Sequence, residues 1–350
     1  MLLSIGGFLC GLLAGAAARY GRLCSMGAVE ESVVGGSWRG LKAWGLALAI
    51  AIILTQAGSR LGLFDLKNSI FAATAIDWPA ALIGGLVFGI GMALTGTCSF
   101  GVLVRLGGGD LRALVSALLI GIAAFAFNSG ILSSARSSLN GLSLVEVSSP
   151  DGAMLPGTLS TMMGETGAFL VIGFFVCFLI SSALSDGRLL KRPRLLLGAT
   201  GVGIAVAAGW IITGSAYMNM DTARVESLSF VAPVGRILLQ TMSETLQDAT
   251  FTSMTVLGVI AGALVVAYAR DEVQWEAFDD AREMRRHMLG AVLMGGGGVL
   301  AKGCTIGQGL SAGSALALTA PLSILGIFIG AKIGLALLLH QPELVFSKSR

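Results

Sequence analysis

"GTCSFG" occupies Gly96–Gly101 and "KGCTIG" occupies Lys302–Gly307, each a cysteine among glycines and hydroxyl residues at the end of an apolar run. Aligned cysteine on cysteine, the two stretches are 206 residues apart, and the register extends upstream without a gap. Gly84 then pairs with Gly290, Gly89 with Gly295, Gly91 with Gly297 and Leu94 with Leu300. Downstream, Ser99 pairs with Thr305, Gly101 with Gly307 and Gly107 with Gly313. Glycine matches alone mean little in a chain with 50 glycines. A gapless run that also pairs thiol with thiol and hydroxyl with hydroxyl reads as an internal repeat.

The solvent follows from composition. Of 350 residues, 55% are hydrophobic and 12% charged, where a soluble domain carries about 25% charged residues. Long continuous apolar runs, not short alternating segments, point to an all-α integral membrane protein rather than a β-barrel. Hydropathy places about nine spans, near residues 2–18, 42–58, 80–96, 112–130, 167–184, 196–214, 251–268, 288–301 and 317–338. The stretch Met1–Cys10 has no charged leader and reads as part of the first span, not as a cleaved signal. The net charge of +3 is spread over loops and carries no nucleic-acid signature. The sequence contains no HExxH, CxxC, P-loop or dinucleotide fingerprint, and no cofactor or metal site is expected.

Basic residues in short loops set the orientation. Arg188, Lys191, Arg192 and Arg194 mark one cytoplasmic loop. Arg282, Arg285 and Arg286 mark a second, and Arg19, Arg22, Arg39 and Lys42 a third. With nine spans these agree if the N-terminus is outside and the C-terminus, with Lys348 and Arg350, is cytoplasmic. The 80–96 and 288–301 spans then run in opposite directions. The expectation is one transmembrane domain over 1–350, with inverted pseudo-repeat halves of about 1–130 and 167–340 joined by an external loop. That plan puts a substrate site at the midplane, among broken helices. A weaker echo of Gly7 and Gly15 in Gly201 and Gly209 sets Cys24 against Met218.

Cys10 and Cys177 lie inside apolar runs and read as packing residues. Cys24, Cys98 and Cys304 lie where the sequence predicts helix breaks. Gly96 and Gly303 permit close backbone approach there, and Ser25, Thr97, Ser99 and Thr305 add hydroxyl donors. Broken helices expose N–H groups that attract anions. A thiol suits an anion bearing a soft atom such as sulfur, held weakly enough to move on. The alternative is that these small residues only pack helices together. Lys302 reads as an anion attractor beside Cys304 or as an interfacial snorkeller. Arg22 reads as an anion guide or as a topology marker. Lys332, inside the last apolar run, is expected to pair with an acid or to snorkel.

The stretches "GRLCSMGA" (Gly21–Ala28), "GMALTGTCSFG" (Gly91–Gly101) and "GGGVLAKGCTIGQGL" (Gly296–Leu310) resemble the YeeE/YedE family of bacterial sulfur transporters, and the likeness covers essentially the whole chain. The resemblance implies an hourglass-shaped inner-membrane protein with short intramembrane helices. It implies thiosulfate uptake through a relay of S–H···S contacts on Cys24, Cys98 and Cys304, with Cys98 nearest the constriction. It also implies a small cytoplasmic TusA-like sulfur-carrier partner. Two other functions stay open on the residues themselves. One is a membrane thiol sulfurtransferase that forms a persulfide; the other is a transporter of a selenium compound or another sulfur species.

Overall fold

The computed structural model describes residues 2–340 apart from 73–74, 141–143, 147–152, 220–224 and 243–249. The C-terminal Lys348 and Arg350 lie outside the described residues. Nine long helices are present among those described: α1 (Leu2–Gly21), α3 (Arg39–Arg60), α4 (Trp78–Thr95), α6 (Leu111–Asn128), α8 (Leu155–Leu184), α10 (Pro193–Asn219), α12 (Phe251–Ala269), α13 (Ala281–Leu300) and α14 (Thr319–His340). Each corresponds to one expected span. Shorter helices are α2 (Ser25–Val33), α5 (Ser99–Gly107), α7 (Ser133–Asn140), α9 (Gly187–Leu190) and α11 (Ala232–Met242), with a π-helical turn at Gly307–Ala312. The only extended pairing among the described residues that forms strands is a three-residue one, β1 (Ala75–Asp77) against β2 (Leu144–Glu146).

Eight of the long helices have the length and apolar character to cross a membrane. The ninth, α13, opens with Arg282, Glu283, Arg285 and Arg286 and turns apolar only from Met288. Asp280 caps it by accepting from Glu283 N at 2.6 Å, and Asp110 caps α6 in the same way, accepting from Arg112 N at 3.0 Å. These are the side-chain acceptors that helix N-termini demand. α8 is longer than expected. It bends at Gly164, whose φ of 77° breaks the helical path, so the apolar span begins beyond the bend.

α4 and α13 lie antiparallel at the centre, glycine against glycine. A Cβ on Gly84 would stand 2.8 Å from the Gly297 carbonyl, and one on Gly290 would stand 2.7 Å from the Gly91 carbonyl. Gly84 aligns with Gly290 in the repeat and Gly91 with Gly297, so each residue touches the partner of the other. That crossing is what a two-fold axis between the helices produces. The surrounding contacts obey the same exchange. α4 packs on α14 as α13 packs on α6, and α1 packs on α12 as α10 packs on α3. α2 packs on α3 and α14, and α11 packs on α12 and α6. In this pattern of contacts α11 corresponds to α2.

Candidate functional site

The three cysteines share one local build. Two residues before each, the chain is left-handed: φ is 50° at Arg22, 70° at Gly96 and 56° at Lys302. This ends the preceding helix, as αL residues do. The cysteine then begins a new helical segment, with Cys24 (φ −128°) and Cys98 (φ −85°) extended as N-caps of α2 and α5. The glycine three residues on donates its N–H to the sulfur at the same 3.4 Å in all three turns: Gly27 to Cys24, Gly101 to Cys98 and Gly307 to Cys304. Each sulfur accepts at the positive end of a helical segment. Its lone pair is engaged by the backbone, which leaves the S–H to donate elsewhere.

The side chains string from one end of the bundle to the other. Cys24, half-buried, lines two adjoining basins of about 590 and 640 Å³ at the end that carries Arg22 and Arg270. Its Sγ is 4.0 Å from Thr97 Oγ1. Next to Thr97, Cys98 is 1% exposed. Cys304 is fully buried. Beyond it, Gly303 and Lys302 line a cavity of about 400 Å³ at the opposite end. The hydroxyls of Ser99 and Thr305 are buried without reaching hydrogen-bond geometry to any group. Buried hydroxyls in that condition are costly unless something else satisfies them.

The basic residues are partly answered. Lys302 Nζ lies 3.3 Å from Asp77 Oδ2, at the start of α4. Arg22 lies 3.1 Å from Glu272, which also draws Arg19 and Arg270 to 3.7 Å. The Arg22 hydrogen bond, with Arg270 and Arg19 behind it, outweighs partial desolvation and holds the Glu272 carboxyl below its ordinary value. Arg105 Nη2 donates to the Gly96 carbonyl at 3.2 Å and braces the turn before Cys98. Cys10 is buried as expected of a packing residue, whereas Cys177, expected to pack as well, is exposed on α8.

Sequence reasoning passed over several participants. Gln308 is fully buried, and its Nε2 donates to the Ala301 carbonyl at 2.7 Å, closing the end of α13. Met92 is fully buried, and its sulfur accepts from Ser25 Oγ at 3.7 Å. Asp77 gave no signal, since its partner is 225 residues away. The pattern Cys-Ser/Thr-x-Gly, present three times, was available as a signal for the shared turn.

Nine long helices around a thread of capped thiols and hydroxyls define a multi-pass membrane protein with a narrow sulfur-bearing core. The chain belongs to the Sulphur transport family, whose model matches residues 20–333. It is 26% identical over 323 residues to the thiosulfate transporter TsuA of Escherichia coli (strain K12), covering 87% of this chain and 86% of that protein. It is likewise 26% identical over 336 residues to the thiosulfate transporter TsuA of Spirochaeta thermophila, covering 93% of this chain and 96% of that one.

Proposed function

We propose that this protein carries thiosulfate, or a closely related sulfur anion, into the cytoplasm across the inner membrane, passing it along Cys24, Cys98 and Cys304. The observation that carries the reading is the shared turn. Three sulfurs at three levels of the bundle each have their lone pair engaged by a backbone N–H, with an S–H left to offer. A soft, weak donor holds a sulfane sulfur briefly and releases it, as conduction requires. Thr97, Ser99 and Thr305 supply hydroxyls for the anion's oxygens, and Gly96 and Gly303 let it approach the backbone. Lys302 draws it into the cavity at the far end.

The N-terminus lies outside and the C-terminus inside, with the two inverted halves joined by an external loop. Cys24 then faces the cytoplasm, and the basin beside it is rimmed by Arg22, Lys191, Arg192, Arg194 and Arg270. This rim is where a small cytoplasmic sulfur-carrier protein of the TusA type would dock to receive the arriving anion. Entering an inside-negative cell costs a dianion about 2.3 kcal/mol per charge per 100 mV. Uptake is therefore drawn by consumption of sulfur inside or by a co-transported cation.

The test is uptake of radiolabelled thiosulfate by cells without their own importers, at matched expression. Wild type is expected to take it up and Cys98→Ala is expected to lose uptake. Full uptake by the variant would reduce Cys98 to a packing residue. No uptake by wild type would move the substrate to another sulfur or selenium compound. A stable persulfide on Cys98 or Cys304 after exposure, seen by mass spectrometry, would favour sulfur transfer over transport.

A further inference from the structure

A slot of about 230 Å³ opens sideways between α3 and α14, where α2 packs against both and props them apart. Its outer walls are apolar, with Trp44 and Leu48 on one side and Phe328 on the other. Its inner end reaches Ser25, Met92 and Thr305. Ser25 follows Cys24 and Thr305 follows Cys304 in the shared turns, so the slot reaches the residues next to two of the thiols. The thread of thiols therefore has a side door onto the surface that a bilayer would cover.

One group beside the slot lacks a partner that chemistry demands. Lys332 lies in a membrane-spanning helix, is exposed, and makes no ion pair among the described residues. Its ammonium sits 5.0 Å from the ring centroid of Phe328, on the rim of the slot. An aromatic face attracts a cation but leaves it un-neutralised, and an unpaired charge at membrane depth is costly. A cation thus stands at the rim of an apolar crevice, and an amphiphile with an anionic head and an apolar tail suits both.

We propose that one anionic phospholipid occupies this slot. An acyl chain lies between α3 and α14, and the phosphate sits on Lys332. α14 continues for eight residues from Lys332 to His340, about 12 Å of helix rise. The headgroup comes from the leaflet at the end of the bundle that holds Cys24, since Trp44 walls both the slot and the Cys24 basin. The acyl chain fills the gap between α3 and α14 and completes the apolar wall there.

The test uses the purified full-length protein in detergent, titrated with phosphatidylglycerol or phosphatidylcholine brominated in mid-chain, while tryptophan fluorescence is followed. Phosphatidylglycerol is expected to give a saturable quenching component that is missing in Trp44→Phe. Lys332→Gln is expected to weaken that component about fivefold, toward the phosphatidylcholine value, as loss of one lysine–headgroup attraction implies. Lys332→Arg is expected to retain it, which separates charge from misfolding. Excess inorganic phosphate is expected not to displace it; displacement would mean a free-anion site and overturn the lipid. Identical titrations for the two lipids, or the same saturable component in Trp44→Phe, would also overturn the proposal.

Discussion

Cys24, Cys98 and Cys304 each accept a backbone hydrogen bond that a serine would accept better, because sulfur is the weaker acceptor and serine is among the favoured N-cap residues. Capping alone does not account for three thiols in the same turn. The substitution that separates the two roles is Cys98→Ser. Serine keeps the cap, so the variant is expected to unfold at the wild-type temperature or above. Cys98→Ala removes the cap and is expected to cost about 1 kcal/mol. Thiosulfate uptake is expected to be lost in both, since an oxygen is too hard to hold a sulfane sulfur. Thermal unfolding in detergent and uptake in cells give the two readouts, and recovery of uptake by serine would assign the cysteines to capping alone. At this scale the sequence was legible for the helix breaks that hold the thiols, because cysteine among glycine and hydroxyl residues is a distinctive composition. It was silent on the left-handed turns at Arg22 and Lys302. Neither residue type prefers that conformation, and only the helices on both sides impose it.

The helices were legible wherever an apolar run filled the whole span. α13 was legible only in its second half, because its charged first turns stand beyond the apolar part. The glycines of that second half look interchangeable in the sequence and prove to serve different neighbours. Gly297 touches α4, Gly295 touches α6, and Gly298 touches Val231 just before α11. A Cβ on Gly297 would stand 2.5 Å from Phe88 N, which is backbone and has no rotamer in which to withdraw. A Cβ on Gly309 meets nothing within 4 Å. Gly297→Ala is therefore expected to destabilise by about 1–3 kcal/mol through overpacking, and Gly309→Ala to stay near neutral. Gly84→Ala is expected to resemble Gly297→Ala. The double variant is expected to fall short of the sum, because the two sites press on one contact. Equal unfolding temperatures for the Gly297 and Gly309 variants would refute close packing as the reason for the glycines. The place of α2 in the second half is the point that resisted reading. α11 fills it by contact pattern, but "FVAPVG" at Phe230–Gly235 keeps neither the cysteine nor the hydroxyl that would have announced it.

Across the whole molecule, the segment after α12 binds the Cys24 end together. Gln274 N donates to the Gly108 carbonyl at 3.1 Å, and Leu111 N donates to the Glu276 carbonyl at 2.8 Å. These bonds tie the end of α5 and the start of α6 to the same loop in which Glu272 gathers Arg19, Arg22 and Arg270. The Glu272 carboxyl is lowered in the folded protein, chiefly by the Arg22 hydrogen bond. A lowered carboxyl contributes stability that is fully present above its ordinary value of 4.5 and is lost as pH falls through the folded value. At neutral pH the contribution is small, because the Arg22 side chain is 77% exposed and water screens the pair. Glu272→Gln is therefore expected to lower the unfolding temperature slightly at pH 7. Below about pH 5 its decline is expected to be shallower than that of wild type, because one proton-linked carboxyl is gone. Unfolding temperatures measured across the acid range decide the matter: parallel curves for variant and wild type would mean that Glu272 is not linked to folding. The same substitution leaves Arg22 unneutralised two residues from Cys24. An anion arriving at that basin is then expected to leave it more slowly, seen as thiosulfate uptake that saturates at lower external concentration with a reduced maximal rate. Unchanged saturation would separate the clasp from the anion's route and leave it a purely structural fastening.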